Sequence, residues 1–138
     1  MYSYDVNYDI LLVEANMVEK IARYLLGCIL LLFGVNYFLG LLPYPEMPVE
    51  AMVFLRALKN TGYMFVFIKC VEIAVSILFL LNRFVPLAIV LIGPGIFNIL
   101  LFHVFLDRGG LPMAVLLVGC WGILAAYHRD SFSSILKP

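Results

Sequence analysis

The feature that most constrains this chain is an apolar run at residues 62–81, which carries Lys69 and Glu72 near its middle. A helix of about 20 residues, at roughly 1.5 Å per residue, spans the roughly 30 Å hydrocarbon core of a bilayer. A charge at that depth costs several kcal/mol unless it is paired or hydrated. Because a spacing of three residues places both side chains on one helix face, the sequence predicts a Lys69–Glu72 pair and makes it the first site hypothesis.

The composition indicates a membrane protein with a single domain, residues 1–138. Of the 138 residues, 64% are hydrophobic and 13% are charged, and the mean hydropathy is +1.05. These values leave too little polar surface to cover a soluble globule. The 9 basic and 9 acidic residues cancel, so neither a nucleic-acid partner nor a polybasic lipid anchor is predicted.

Four apolar segments predict an all-α fold, an integral membrane four-helix bundle. The predicted spans are residues 21–42, 62–81, 85–106 and 111–127. Residues 49–59 are too short to span and mix charges with apolar side chains, which predicts a short interfacial helix between the first and second spans. This helix follows a proline-rich link that ends the first span, and it is either a passive connector or a lid.

The distribution of lysine and arginine predicts that both termini are cytoplasmic, because one side of the membrane carries five of these residues and the other carries three. The first 16 residues are acidic and rich in tyrosine. They lack the basic start and early apolar core of a signal peptide, so we expect a retained tail or an interfacial segment. The five residues on the predicted cytoplasmic side are Lys20, Arg23, Arg83, Arg129 and Lys137; the three on the other side are Arg56, Lys59 and Arg108.

Polar side chains from three spans are predicted to share the outer, non-cytoplasmic half of the bundle. Asn36 belongs to the first span, Lys69 and Glu72 to the second, and Asn98 and His103 to the third. Their similar depth predicts a small cavity closed by the proline-rich link and the interfacial helix. In the alternative interpretation these groups satisfy one another and hold the bundle together. Buried polar contacts in membranes contribute only about 0.6 to 2 kcal/mol each, so five of them are seldom needed for stability alone.

Glycine and proline mark two further features of the spans. Gly93, Pro94 and Gly95 predict a kink in the third span, since Pro94 removes a helical hydrogen bond and the glycines add freedom. Carbonyl groups freed by a kink need partners, so the break is a second indication of an internal polar site. Gly27 and Gly34 share one face of the first span and predict close helix packing.

The remaining residue types favour neither a metal site nor a cofactor of the chain's own. Cys28, Cys70 and Cys120 lie in apolar runs without a CxxC spacing, which predicts small buried residues. His103 and His128 fall on opposite sides of the predicted membrane, so they cannot jointly bind a haem or a metal. A stand-alone enzyme is not expected. An apolar cavity with a histidine or lysine donor and a carboxylate would suit a quinone.

Several stretches resemble a known family. They are RYLLGCILLLFGVNYF in the first span, IKCVEI in the second, NRFVPLAIVLIGPGIFNILLFH through the third, and the proline-rich link. Over nearly its whole length the chain resembles the DoxX-like (DoxX/DoxD) family of small four-helix bacterial membrane proteins. The resemblance implies residence in the bacterial inner membrane. Some members accompany quinone-linked sulfur or thiol oxidoreductases. The resemblance also implies that Lys69, Glu72, Asn98 and His103 are important, but it does not assign them a role.

Two functions of different classes stay open. The first is a small accessory subunit of a membrane oxidoreductase complex, with a quinone or another apolar ligand bound around Lys69, Glu72 and His103. The second is a structural or interaction subunit that packs against other membrane subunits, or against further copies of itself, without ligand chemistry. A transporter is less favoured, because four spans without an inverted repeat leave little room for alternating access.

Overall fold

The computed structural model describes residues 2–43 and 45–133, with the side chains of residues 10–43 and 45–132. Tyr44 of the proline-rich link and Lys137 of the charge count lie outside the described residues. The described chain is helical and contains no strand, which confirms the predicted all-α class. Its helices are α1 (Tyr2–Leu39), α2 (Val49–Asn60), α3 (Met64–Leu80), α4 (Val85–Phe105), α5 (Leu111–Tyr127) and the short α6 (Arg129–Ser133), with a 3-10 turn, Arg108–Gly110, before α5.

Three helical segments of the described chain are long and apolar enough to cross a membrane: Ile10–Leu39, Val85–Phe105 and Arg108–Tyr127. α3 has 17 residues, and it reaches the required length only together with α2, from which it is bent by 91°. The chain is therefore an apolar, multi-pass helical protein suited to a lipid bilayer, with three crossings, or four if the bent pair forms one span.

The four long helices α1, α3, α4 and α5 pack as a ring. α1 contacts α3 and α5, and α4 contacts the same two helices. α1 and α3 run antiparallel, since Gly27 lies against Leu80 whereas Gly34 lies against Ile73. The shared core is aliphatic with one phenylalanine. Its fully buried members include Leu26, Val75, Phe79, Ile89, Ile92, Ile96 and Leu124.

The two ends of this bundle differ, and we name each by the short helix that it carries. At the α2 end, Phe54 of α2 packs against Phe102 of α4, with 5.8 Å between ring centroids. The corner between α2 and α3 is made by Gly62, whose φ of +78° suits a residue without a Cβ atom. At the α6 end, Phe132 of α6 packs against the core. The helix predicted at residues 49–59 is thus present as α2, across one end of the bundle.

The first helix differs from its predicted span at both ends. α1 begins at Tyr2 instead of residue 21, so the segment expected as a tail or interfacial stretch is helical and continuous with the span. It ends at Leu39, three residues earlier than predicted, because Gly40 takes a left-handed conformation with φ +61°. The apolar side chains near its start, such as Ile10 and Val13, are exposed.

The kink expected at Gly93, Pro94 and Gly95 does not interrupt α4, which is helical from Val85 to Phe105. The neighbouring helix α5 supports this stretch. Trp121 donates its indole N–H to the carbonyl oxygen of Ile89 at 2.9 Å. Its ring also fills the space that a Cβ atom on Gly93 would enter, at 3.3 Å. These contacts support the turn before Pro94, although the carbonyl that Pro94 itself frees, four residues earlier, is that of Val90.

Candidate functional site

The ion pair expected within the second span is present on α3. Lys69 donates from Nζ to Oε2 of Glu72 at 2.8 Å. The Glu72 side chain is 6% exposed and that of Lys69 is 16% exposed, so the carboxylate faces the core while the ammonium lies nearer the surface. Nζ also lies 5.9 Å from the ring centroid of Phe65, one turn closer to the α2 end. The pair thus neutralises the charges of α3 and places a cation beside an aromatic ring.

The other predicted polar residues do not join this pair. Asn36 donates to the Leu42 carbonyl oxygen at 3.2 Å and accepts from the Leu42 N–H at 2.7 Å. His103 Nδ1 lies 2.9 Å from the Asp107 carbonyl oxygen and 3.3 Å from its Oδ2. Because both of those atoms are acceptors, Nδ1 carries the ring proton. Asn98 is exposed and makes no hydrogen bond to a described residue.

The shared polar cavity expected from three spans is therefore not formed by these side chains. Among the described residues, no hydrogen bond or ion pair joins Asn36, Asn98 or His103 to the pair on α3. Position along a helix sets the depth of a side chain, but packing against other helices sets the direction that it faces. The side chains of Asn36 and His103 instead find their hydrogen-bond partners in the turns that follow their own helices.

A pocket of about 270 Å³ opens at the α2 end, beside Phe65. The rings of Tyr37 and Phe65 stack within it, with centroids 5.2 Å apart and an interplanar angle of 17°. Its wall is apolar apart from two cationic side chains, a composition typical of a site for a lipid-soluble ligand. The lining residues are Tyr37 of α1, Met47 of the link, Met52, Leu55, Arg56 and Lys59 of α2, and Phe65 of α3.

The pocket exists because α2 turns away from α3 and lies across the bundle. Ala51, which is fully buried, brings α2 close to the rest of the chain. The α2 residues that line the pocket have the spacing of one face of a helix, at positions 52, 55, 56 and 59. That spacing was the available sequence signal. The predicted site rested on polar residues inside the spans, whereas this wall is mostly apolar.

A second polar cluster, which the sequence did not predict, lies at the α6 end. Arg23 is only 2% exposed; its Nε donates to Glu19 Oε1 at 2.9 Å and its Nη1 donates to the Phe79 carbonyl oxygen at 2.6 Å. His128 Nε2 lies 3.6 Å from the same Glu19 oxygen. The spacing of Glu19 and Arg23 was a sequence signal for a pair on one helix face, but the contacts to Phe79 and His128 depend on how the other helices pack.

The same end carries a hydrogen bond that joins α1 to the end of α5. The Tyr127 hydroxyl donates to Asn16 Oδ1. Together with the Arg23 contact to α3, this bond joins three helices at the α6 end. The cluster is a structural clasp, because its polar groups face one another and neither of the two pockets described in the chain is lined by them.

A larger groove, of about 420 Å³, runs along the outward side of α1. Its one polar side chain, Asn36, is already bonded to Leu42, so the groove offers an apolar surface to lipid. Cys28 lies on this groove and is exposed, as is Cys70. The prediction that the cysteines are buried is therefore wrong for these two and correct for Cys120.

Taken together, the fold and the pocket define an all-helical, multi-pass membrane protein with an apolar pocket beneath a helix that crosses one end of the bundle. Within the described residues, no group of three or more His, Cys, Asp and Glu side chains is placed to hold a metal ion. Comparisons with protein-family models, with curated proteins and with solved structures find no match to this chain.

Proposed function

We propose that this chain is a small membrane accessory subunit that binds an apolar ligand from the lipid in the pocket beneath α2. The observation that carries the proposal is the pocket itself. It lies between three helices and the proline-rich link, has an apolar wall with stacked rings, and has two cationic side chains at one side. Ligand sites commonly combine a mostly apolar wall with a few polar groups that orient the bound molecule.

The resemblance to the DoxX-like family makes a quinone the ligand and a membrane oxidoreductase complex the partner in this proposal. The residues fit such a ligand in two respects. Stacked rings at Tyr37 and Phe65 offer an aromatic face, and Arg56 and Lys59 can donate hydrogen bonds to carbonyl oxygens. Electron transfer would be the partner's contribution. This chain would bind and orient the ring. Tyr37 and Lys59 in the pocket wall, and the Lys69–Glu72 pair beside Phe65, are groups able to exchange a proton.

The proposal places the chain in the bacterial inner membrane with the α6 end and both termini in the cytoplasm. α2 would then lie along the opposite membrane surface, as a lid over the pocket. Its 91° bend from α3 supports this placement, since a helix perpendicular to a span runs parallel to the membrane plane. Its mixture of apolar and charged side chains is typical of an interfacial helix.

The test is gentle purification of the tagged chain from its native membrane, with mass spectrometry of co-purifying proteins and of extracted quinones and lipids. Stoichiometric quinone, or subunits of an oxidoreductase, would support the proposal. The Glu72→Gln variant should then assemble normally and lose quinone-linked turnover. Normal turnover in that variant would remove the pair from the proposed mechanism, and a large unrelated complex without quinone would favour the second function below.

The second function is a packing subunit of a larger membrane complex, and one observation favours it. Gly119 and Gly122 of α5 have open space where a Cβ atom would lie, so another helix can approach them closely. The close helix packing predicted at Gly27 and Gly34 is made by α3, so these two glycines are not free for a partner. Gly119→Leu should dissociate a partner that packs on α5. A wild-type chain that purifies as a stable monomer without partners would contradict this function.

A further inference from the structure

The cationic side of the pocket beneath α2 narrows the class of ligand. We propose that the occupant is a single acyl chain with an anionic head, a carboxylate or a phosphate, held at Arg56 and Lys59 with its chain in the pocket. The inference rests on the proposed function, that the pocket takes a ligand from the lipid. It replaces the neutral quinone as the preferred ligand by an anionic amphiphile.

The first argument is that the two cationic side chains of the pocket have no acidic partner among the described residues. Arg56 and Lys59 both line the pocket, and neither forms an ion pair with a described residue. Arg23 is bonded to Glu19 and Lys69 to Glu72, but the exposed cations Lys20, Arg83 and Arg108 also form no ion pair with a described residue. What distinguishes Arg56 and Lys59 is their place together in the wall of a pocket. The acidic residue of α2, Glu50, precedes Arg56 by six positions, which places it about 240° around the helix and away from the pocket face.

The second argument is the size and shape of the apolar part. An engineered cavity of about 150 Å³ holds one benzene molecule, so a pocket of about 270 Å³ has room for one chain segment or one ring, not for the two chains of a phospholipid. Met47 and Met52 contribute flexible side chains that adapt to a chain of variable length. The pocket therefore suits one chain, with its head left at the cationic edge.

The third argument is the strength of the contacts that the head makes. Hydrogen bonds between a guanidinium or ammonium group and an anionic oxygen are about twice as strong as neutral ones. Arg56 and Lys59 are both exposed, so water hydrates their charges beside a neutral quinone, whereas a carboxylate or phosphate adds charged hydrogen bonds to them. Juxtamembrane cations also attract anionic lipids, which raises the local concentration of this class of ligand.

The experiment measures equilibrium binding of radiolabelled oleate and of oleyl alcohol, which has the same chain and a neutral head, to the purified full chain in a neutral detergent. Oleate should bind about tenfold or more tightly than the alcohol, since a charged hydrogen bond contributes about 1.5–3 kcal/mol. The Arg56→Gln/Lys59→Gln double variant should lose that difference and keep the affinity for the alcohol. Arg108→Gln is the matched control, because Arg108 is a cation near the same end that does not line the pocket.

Each contrary outcome points to a different failure. If oleyl alcohol and decylubiquinone bind as tightly as oleate, the anionic head is wrong and the proposed function stands. If oleate binds equally to the double variant, its site is elsewhere and the inference is overturned. If no probe binds the wild-type chain, both this inference and the proposed function fail. Competition by lysophosphatidylglycerol, and not by lysophosphatidylcholine, identifies a single-chain phospholipid with an anionic phosphate as the occupant; without such competition, the occupant is a free fatty acid.

Discussion

Arg23 of α1 donates from Nη1 to the carbonyl oxygen of Phe79, 2.6 Å away in the last turn of α3. The carbonyl groups at the end of a helix lack partners within the helix and carry partial negative charge, so a buried cation there is stabilising. Glu19, bonded to Nε of the same guanidinium, compensates its charge. The contact joins residues that are 56 positions apart in the sequence, and it holds α3 against α1 at the α6 end.

Removing the cation from this clasp should destabilise the bundle strongly. We expect Arg23→Met to lower the free energy of unfolding by about 3–5 kcal/mol, because Glu19 then remains buried without its partner. Unfolding of the purified protein in mixed micelles measures this effect. The Glu19→Gln/Arg23→Met double variant should lose less than the single variant. Equal stability of Arg23→Met and the wild type would show that the clasp contributes nothing.

The close approach of α1 and α3 should depend on a glycine at position 34. A Cβ atom there would lie 2.7 Å from Ile73 Cγ1, so Gly34→Ala forces the helices apart and should cost about 1–3 kcal/mol. Adding Ile73→Ala removes the blocking atoms and should reduce the penalty of the alanine. Gly122→Ala is the matched control, since nothing lies within 4 Å of its added Cβ atom. Thermal unfolding of these three variants and of Ile73→Ala alone measures the effect, and equal losses at Gly34 and Gly122 would contradict the packing described.

The turn between α4 and α5 should depend on Gly110 in a similar way. The His103 ring occupies the position of a Cβ atom on Gly110, so Gly110→Ala must displace the ring from its bond to Asp107. We expect a loss of about 1–3 kcal/mol in unfolding free energy. The same alanine should cost much less in a His103→Ala background. A penalty that is unchanged in that background would mean that the histidine does not cause it.

Trp121 should stabilise the proline-containing part of α4. Trp121→Phe loses the hydrogen bond to the Ile89 carbonyl, a change we expect to cost about 0.6–2 kcal/mol within a membrane. The carbonyl that Pro94 frees is that of Val90 and not of Ile89, so any compensation acts through the support that Trp121 gives to this turn. In that case removal of the indole should cost less when Pro94 is replaced by alanine. A double-mutant cycle on unfolding free energies measures this coupling. Additive effects of the two substitutions would show that Trp121 acts independently of the proline.

Local sequence patterns predicted the features that depend on few neighbouring residues. The spacing of Lys69 and Glu72 predicted their pair, and the mixture of charged and apolar residues at 49–59 predicted the helix that became α2. The turn at the end of α1 was harder to foresee. Asn36, predicted as a cavity residue, instead bonds the backbone of Leu42. A single amide near a helix end has several possible partners, and only the path of the following chain selects one.

Features that depend on the rotation of one helix against another were not predictable from the sequence. The outward direction of Asn98 is one example, and the burial of Arg23 beneath the end of α3 is another. The pocket was not predicted, for a related reason. Tyr37 and Phe65 belong to different helices, and their stacking follows from the antiparallel packing of α1 and α3.

The central claim is that the pocket beneath α2 takes a molecule from the lipid, and photolabelling tests it most directly. Membranes containing the chain would be irradiated with diazirine-bearing palmitic acid, and separately with the corresponding alcohol. Mass spectrometry then locates the adducts. Leu55→Trp fills the pocket, and Leu32→Trp, in the groove on α1, is the matched control.

We predict that adducts of at least one probe concentrate within residues 47–65, disappear in Leu55→Trp and persist in Leu32→Trp. This result would place a lipid-soluble molecule in the pocket whatever the chemistry of its head. Adducts spread over the outward faces of α1, α4 and α5, and unchanged by Leu55→Trp, would contradict the claim and leave the chain as a packing subunit.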